Sequence, residues 1–289
     1  MSSALATILF GLMASLCWGS GDFCGGLASR RLNATTVVIA AYTVGFCLLI
    51  GLALVWREAL PAPIDVFWGV LAGLVGGLGL IMFYSALAVG RMGIVAPISA
   101  VLTAGLPVLF SIFTQGAPGL WQIAGFVLAL AAIVLVSRPE RSKEGRPKGI
   151  GQALLSGCCF GLFFILISRI NHTSTFWPLA VARLSSVIFL LLLALVRKEP
   201  GNREGSKVLK ALWRSTLPLI LGSGTLDALG NAFFVLAAHS GRLDVASVLS
   251  SLYPAATVIL AALLLRERVN RIQGLGIFLA LIAIPLISL

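Results

Sequence analysis

Residues 86–99 read "ALAVGRMGIVAPIS", and they align without a gap on residues 237–250, which read "AAHSGRLDVASVLS". The shared Gly-Arg pair lies at residues 90–91 in the first copy and at 241–242 in the second. Apolar composition alone makes unrelated membrane segments look alike, so a matched Gly-Arg pair carries more weight than matched hydrophobicity. The alignment therefore predicts an internal repeat.

The same offset extends to the end of each copy. Gln122 matches Gln273, and "LALAAIVLVS" at 128–137 matches "LALIAIPLIS" at 279–288. A connection rich in Lys and Arg lies between the copies. The chain therefore divides into three predicted regions, namely a first repeat at 1–137, a linker at 138–148 and a second repeat at 149–289.

Composition places both repeats in a membrane. The chain is 59% hydrophobic and only 11% charged, whereas soluble domains are about 25% charged. Its apolar runs are long and do not alternate, which favours helices over a barrel. We expect an all-α integral membrane protein with ten transmembrane helices, each about 20 residues long. The predicted spans are 4–28, 35–56, 66–89, 93–114, 119–137, 149–168, 177–196, 214–239, 243–265 and 271–288.

Each repeat holds five predicted spans. Because five is odd, the two repeats enter the membrane from opposite sides, and the predicted fold is a pair of inverted five-helix repeats. Nearly all of the 21 Lys and Arg residues lie in the connections after spans 1, 3, 5, 7 and 9. The exceptions are Arg57, Arg169, Arg183 and Arg242. The positive-inside rule predicts cytoplasmic basic connections, both termini outside, and a multi-pass protein of the cell inner (plasma) membrane.

The net charge of +11 follows from those connections, so it does not indicate nucleic-acid binding. The chain has no Gly-x-Ser-x-Gly elbow, no phosphate-binding loop and no two-histidine metal motif. We therefore predict that it is not an enzyme and that it needs no cofactor or metal. The expected partners are a small-molecule substrate and the lipid bilayer, and the sequence leaves the oligomeric state open.

Two charged residues lie within predicted spans 7 and 8. Asp227 is near the middle of span 8, and Asn231 follows one helical turn later. Arg183 is the basic residue inside span 7. Intramembrane charges are costly and usually face the protein interior. Three interpretations stay open: the two charges pair and fix the packing, they separately hold a zwitterionic substrate, or Asp227 carries a proton.

Spans 1 and 9 each carry a polar face. Trp18 and Asp22 share one face of span 1, which is either a packing surface or a cavity wall with an aromatic platform. In span 9, Pro254 removes a backbone donor and frees a carbonyl near the centre of the span. Such irregular backbone is tolerated where it lines protein or water. The predicted cavity residues of span 9 are Ser250, Ser251, Tyr253 and Pro254.

Two stretches resemble a known family. These are "CWGSGDF" at 17–23 and "SSLYPAATVILAALLLRERVNRIQGLGIFLALIAI" at 250–284. They are similar to the EamA-type families of the drug/metabolite transporter superfamily, and the resemblance covers nearly the whole chain. On this match, Pro254 and Glu267 occupy family positions. The resemblance implies transport, but it says little about cargo, since such proteins move amino acids, sugars, nucleosides and cationic compounds in either direction.

The sequence therefore predicts a secondary transporter that exports a small polar metabolite, such as an amino acid, by alternating access. A proton-coupled importer of a sugar or nucleoside is one alternative. A membrane scaffold or sensor without transport activity is another.

Overall fold

A computed structural model describes residues 3–89, 92–136, 149–171, 174–197, 206–264 and 271–287. All regular structure in these residues is helical, in eleven segments: α1 Ser3–Ser29, α2 Ala34–Val55, α3 Pro63–Val89, α4 Met92–Gln115, α5 Leu120–Val136, α6 Ile150–Ile167, α7 Phe176–Arg197, α8 Ser206–Ser240, α9 Leu243–Ser250, α10 Tyr253–Leu264 and α11 Arg271–Ile287. The predicted linker 138–148, the pair Gly90-Arg91 and Glu267 lie outside the described residues.

The helices have the length and composition of membrane spans. Within the described residues, seven are long and apolar enough to cross a bilayer, namely α1 to α4 and α6 to α8. The helices α5 and α11 are apolar and have 17 residues each, which is the lower end of the spanning range of about 17–25 residues. The all-helical prediction is therefore confirmed, together with several apolar helices able to cross a membrane.

The predicted ninth span is not one continuous helix. It consists of α9 and α10, separated at Ser251 and Leu252. At this break the Leu252 N–H donates to the Leu249 carbonyl at 3.2 Å, and the Ala255 N–H donates to the Leu252 carbonyl at 2.9 Å. Both bonds span three residues, as in a tighter 3₁₀ turn. The cause is Pro254, which lacks the N–H that would bond to the Ser250 carbonyl.

The eighth helix is longer than predicted, because α8 begins at Ser206 and not at residue 214. The extra segment, "SKVLKALW", contains charged residues and so fails a hydropathy criterion. Lys, Leu and Ala are good helix formers, however, and they extend the helix beyond its apolar part. The hydropathy boundary marks where the apolar run begins and not where the helix begins.

The two halves pack on each other in a symmetric pattern. The helices α1 and α8 are in contact, and so are their repeat counterparts α6 and α3. Likewise, α3 packs on α7, and α2 packs on α8. In the repeat, α2 corresponds to α7, α4 to α9 and α5 to α11. Each of these helices packs on its own counterpart. Exchanging the halves leaves this list of contacts unchanged, which is the property of a two-fold pseudosymmetric pair.

Two repeat-related glycines allow this packing. Gly73 of α3 and Gly224 of α8 match at the offset that aligns the repeats. A Cβ on Gly73 would overlap the Ala182 carbonyl of α7, and a Cβ on Gly224 would overlap the Ala41 carbonyl of α2. Small residues at such crossings let helix backbones approach closely in membranes. The same close crossing thus occurs once in each half.

Polar contacts join the halves at one end of the bundle. The Glu58 carboxylate, between α2 and α3, accepts hydrogen bonds from the backbone N–H groups of Phe176 and Trp177 at 2.9 and 3.0 Å. It thereby caps the start of α7, where an anion is favoured by the helix dipole. Arg242, before α9, donates to the Gly116 carbonyl after α4 at 2.9 Å. The Glu58 contacts bring the α2–α3 connection to the α6–α7 connection, and the Arg242 contact brings the α8–α9 connection to the α4–α5 connection. His239 Nε2, near the end of α8, lies 2.8 Å from the Ile170 carbonyl after α6, so all four connections lie at this end.

Candidate functional site

A cavity lies between the two halves of the bundle. Its volume is about 50 Å³. Since one water needs roughly 10–15 Å³ by this measure, the cavity holds a few waters or a small solute. The lining residues are Trp18, Asp22, Tyr42, Gly76, Leu80, Thr103, Phe160, Phe163, Phe164, Arg183, Asp227, Asn231 and Tyr253.

An ion pair crosses one wall of the cavity. Arg183 Nη2 of α7 lies 2.7 Å from Asp227 Oδ2 of α8, and the two side chains are 3% and 20% exposed. The two atoms are close but not aligned for a hydrogen bond, and within the described residues Arg183 Nε, Arg183 Nη2 and Asp227 Oδ2 have no hydrogen-bond partner. The Tyr42 ring of α2 covers the guanidinium at 4.2 Å, which is a cation–π contact.

Asn231 is held beside this pair. Its Nδ2 donates to the Asp227 carbonyl at 2.5 Å and lies 3.4 Å from Asp227 Oδ1. Asn231 is 1% exposed, and its Oδ1 accepts no hydrogen bond from the part of the chain that the structure describes. Buried polar atoms without partners are uncommon in folded proteins. The site thus contains an ion pair without an aligned hydrogen bond and an amide oxygen that accepts none from the described residues.

Asp22 is a second acid in the same cavity. It interacts with the Tyr84 hydroxyl and is close enough to Asp227 for the two carboxylates to repel each other. The Tyr84 hydroxyl also lies 3.2 Å from Ser223 Oγ. Among the described residues, Asp22 has no Lys, Arg or His partner within ion-pair distance. The lining set therefore holds two carboxyl groups and one guanidinium. With both acids ionised, the cavity carries one net negative charge.

Aromatic rings form another part of the cavity wall. Trp18 stacks on Phe164 with ring centroids 5.2 Å apart, and Phe164 stacks on Phe234 at 4.1 Å. A Cβ on Gly230 of α8 would lie 2.7 Å from the Trp18 ring, so the indole fits against α8 only because residue 230 has no side chain. Stacked rings of this kind have few alternative rotamers. They provide a rigid apolar surface beside the charged groups.

Six of the nine residues predicted for the cavity line it. They are Trp18, Asp22, Arg183, Asp227, Asn231 and Tyr253. The structure does not bring Ser250, Ser251 or Pro254 to the cavity wall. Ser250 and Ser251 are fully buried, and Ser250 Oγ donates to the Gly11 carbonyl at 3.3 Å. Pro254 breaks the helix next to Tyr253, whose ring does reach the cavity.

Several lining residues were missed by sequence reasoning. Tyr42 and Thr103 lie in spans 2 and 4, where no charged residue marked a polar face. The phenylalanines of α6 look like ordinary packing residues in the sequence. One signal was present, since the chain has only three tyrosines. Two of them line the cavity and the third, Tyr84, contacts Asp22.

Among the described residues, no group of three or more His, Cys, Asp or Glu side chains is placed to hold a metal ion.

Comparison with known proteins gives a family and a fold. The model of the EamA-like transporter family matches residues 5–138 and 147–289, which is one copy for each repeat. No curated protein matches the chain. A solved structure titled only "Crystal structure of protein" superposes with a TM-score of 0.72 and 20% sequence identity, over 97% of this chain and 95% of that chain. At this identity, the likeness shows a shared fold and nothing about cargo.

Proposed function

Because the chain belongs to the EamA-like transporter family, we propose that it is a secondary transporter that exports a small polar metabolite, such as an amino acid. The cargo binds in the cavity between the repeats, and rocking of the halves opens that cavity to each side in turn. This family is one of transporters and not of enzymes.

The proposed membrane topology is ten spans in two inverted repeats, with the broken pair α9 and α10 counted as one span. The symmetric helix contacts and the family match to both halves support two equivalent repeats. The polar contacts of Glu58 and Arg242 support a common end for the four connections that carry few basic residues. We assign that end to the outside, with both termini, and the basic connections to the cytoplasm.

The cavity itself is the observation that carries the proposal. A scaffold without transport activity has no need for a polar cavity among apolar helices, whereas a transporter requires one. The Arg183–Asp227 pair and the unpaired Asp22 supply both signs of charge, and the rings of Trp18 and Phe164 supply an apolar wall. When Asp22 is ionised the lining has one net negative charge, and in that state a zwitterion or a cation fits it better than an anion.

The position of Asp22 favours coupling of transport to protons. A carboxyl group without a basic partner in a bilayer is expected to take a proton or meet a cation. Proton coupling predicts that flux depends on an imposed pH gradient and that Asp22→Asn abolishes this dependence. An unchanged pH response in Asp22→Asn would remove Asp22 from the coupling mechanism.

The experiment compares metabolites inside and outside cells that express wild type, Asp22→Asn, Arg57→Ala or an empty vector, at matched membrane levels. Arg57 is exposed and lies outside the cavity, so its variant is the control. We expect one metabolite class to accumulate outside with wild type and Arg57→Ala, and to accumulate less with Asp22→Asn, which has lost proton coupling. Depletion of that class from the medium would favour import. No difference between wild type and vector would contradict the proposal.

A further inference from the structure

Polar contacts join the end of α4 to the start of α9. Arg242 donates from Nη1 to the Gln115 carbonyl at 3.3 Å and from Nη2 to the Gly116 carbonyl at 2.9 Å. Gln115 Oε1 in turn accepts the Leu243 N–H at 3.1 Å. We infer that these residues, together with Asp244, form a latch that holds the outer end of the cavity closed and that opens before the cavity reaches the outside.

The latch satisfies the ends of two helices. The last carbonyls of a helix lack partners within it, and a cation is favoured beside them. Arg242 fills this role for α4. Asp244 holds the guanidinium, since its Oδ2 lies 2.7 Å from Arg242 Nη2, and the Asp244 side chain is 0% exposed while that of Arg242 is 29% exposed. Because α4 belongs to the first half and α9 to the second, separating the halves at this end breaks these contacts.

The latch lies on the route from the cavity to this end of the bundle. Tyr253 lines the cavity, and Arg242 lies roughly 16 Å before it along the span, at 1.5 Å per residue. All residues of α9, Leu243–Ser250, are buried between these two points. An opening along α9 therefore requires this short helix to move away from its neighbours, and the latch ties it to α4.

The latch belongs to one repeat. At the offset that aligns the repeats, Gly93 takes the place of Asp244, and Arg266 takes the place of Gln115. Glycine has no carboxylate, and an arginine side chain has no acceptor. The same contacts therefore cannot form at the opposite end of the bundle. Their free energy favours closure of the outer end alone, and their loss shifts the population toward the form that is open to the outside.

This inference rests on the proposed function, in which the cavity opens to each side in turn, and the test separates the two. The five cysteines are replaced by serine, and Thr103→Cys then places a thiol in the cavity wall. A membrane-impermeant thiol reagent is applied to intact cells and, separately, to inside-out vesicles. In a second protein, Arg57→Cys marks the face on which the latch lies, since Arg57 is exposed in the α2–α3 connection.

The rate of labelling is compared between the unaltered latch and two latch variants, Gln115→Ala and Arg242→Gln/Asp244→Asn. The first changes no charge, and the second removes both charges, so neither leaves a buried charge without its partner. Arg57→Gln is the control, because Arg57 is an exposed arginine at the same end of the bundle and outside the latch. Thermal unfolding shows whether each variant is folded.

In both latch variants the Thr103→Cys thiol should react about five-fold faster from the latch face, or more, because the lost hydrogen bonds had favoured the closed form. Labelling from the opposite face should not become faster, and Arg57→Gln should leave both rates unchanged. Unchanged labelling in both folded latch variants overturns the inference. A faster rate that Arg57→Gln shares, or that occurs from both faces, also overturns it, since either result indicates general loosening.

Transport is measured in parallel as release of the exported metabolite from vesicles that contain the wild-type protein. Absence of release contradicts the proposed function, and the labelling rates still decide whether the latch closes the cavity.

Discussion

The Arg183–Asp227 pair makes an asymmetric prediction for stability. Asp227→Asn leaves a guanidinium that is 3% exposed without a countercharge, although the Tyr42 contact recovers some of the loss. Removing one partner of a buried pair costs about 3–5 kcal/mol, and we expect the lower end, about 3 kcal/mol. Arg183→Gln leaves Asp227, which is 20% exposed toward the cavity and can take a proton. We expect about 1–2 kcal/mol for this variant.

The double variant Arg183→Gln/Asp227→Asn should lie within about 1 kcal/mol of wild type, because no unpaired charge remains. Thermal unfolding of the detergent-solubilised variants measures these differences. At about 2–4 °C for each kcal/mol, Asp227→Asn should melt roughly 6–12 °C below wild type. The reasoning is refuted if Arg183→Gln is the less stable single variant, or if the double variant is no more stable than Asp227→Asn.

Three further predictions concern packing, helix capping and the broken helix. Gly73→Ala places a Cβ against the Ala182 carbonyl and should lower the free energy of unfolding by about 1–3 kcal/mol. Gly105→Ala should not lower it. Equal melting temperatures of the two variants would contradict the packing account. Glu58→Gln removes the charge that caps α7 and should lower the free energy of unfolding by about 1 kcal/mol, measured by thermal unfolding. An unchanged free energy of unfolding would show that the charge is dispensable. Pro254→Ala restores an N–H donor to the break and should raise the free energy of unfolding by about 0.5–1.5 kcal/mol. The same variant should slow the release of the exported metabolite from vesicles that contain the protein. Unchanged release would show that transport does not depend on the break.

The membrane character and the repeat were predictable from the sequence because both depend on composition and on matched positions. The cost of burying a charge in a bilayer also marked Asp22, Arg183 and Asp227 as interior residues without any structure. All three line the cavity. This cost identifies which residues avoid lipid, and because the helices here surround a cavity, it goes far toward locating a site.

The partners of those residues were not predictable. Pairing of Arg183 with Asp227 depends on how α7 and α8 are rotated, and helix rotation is set by contacts such as those of Gly73 and Gly224. Tyr42 was missed for the same reason, since nothing in the sequence of span 2 shows which face points inward. In span 9 the serine stripe and Pro254 were expected to share the cavity wall. The helix break instead directs Tyr253 inward and leaves the serines between helices.

The most direct test of the account is to fill the cavity and measure transport. Thr103 lines the cavity, while Gly105, two residues later on α4, faces open space. Thr103→Leu and Thr103→Phe are compared with Gly105→Leu and Gly105→Phe for release of the exported metabolite from vesicles, with thermal unfolding as the check on folding. The account predicts that release falls with side-chain size at residue 103 and stays near the wild-type rate at residue 105. Folded residue-103 variants that transport as fast as wild type would contradict a route through this cavity.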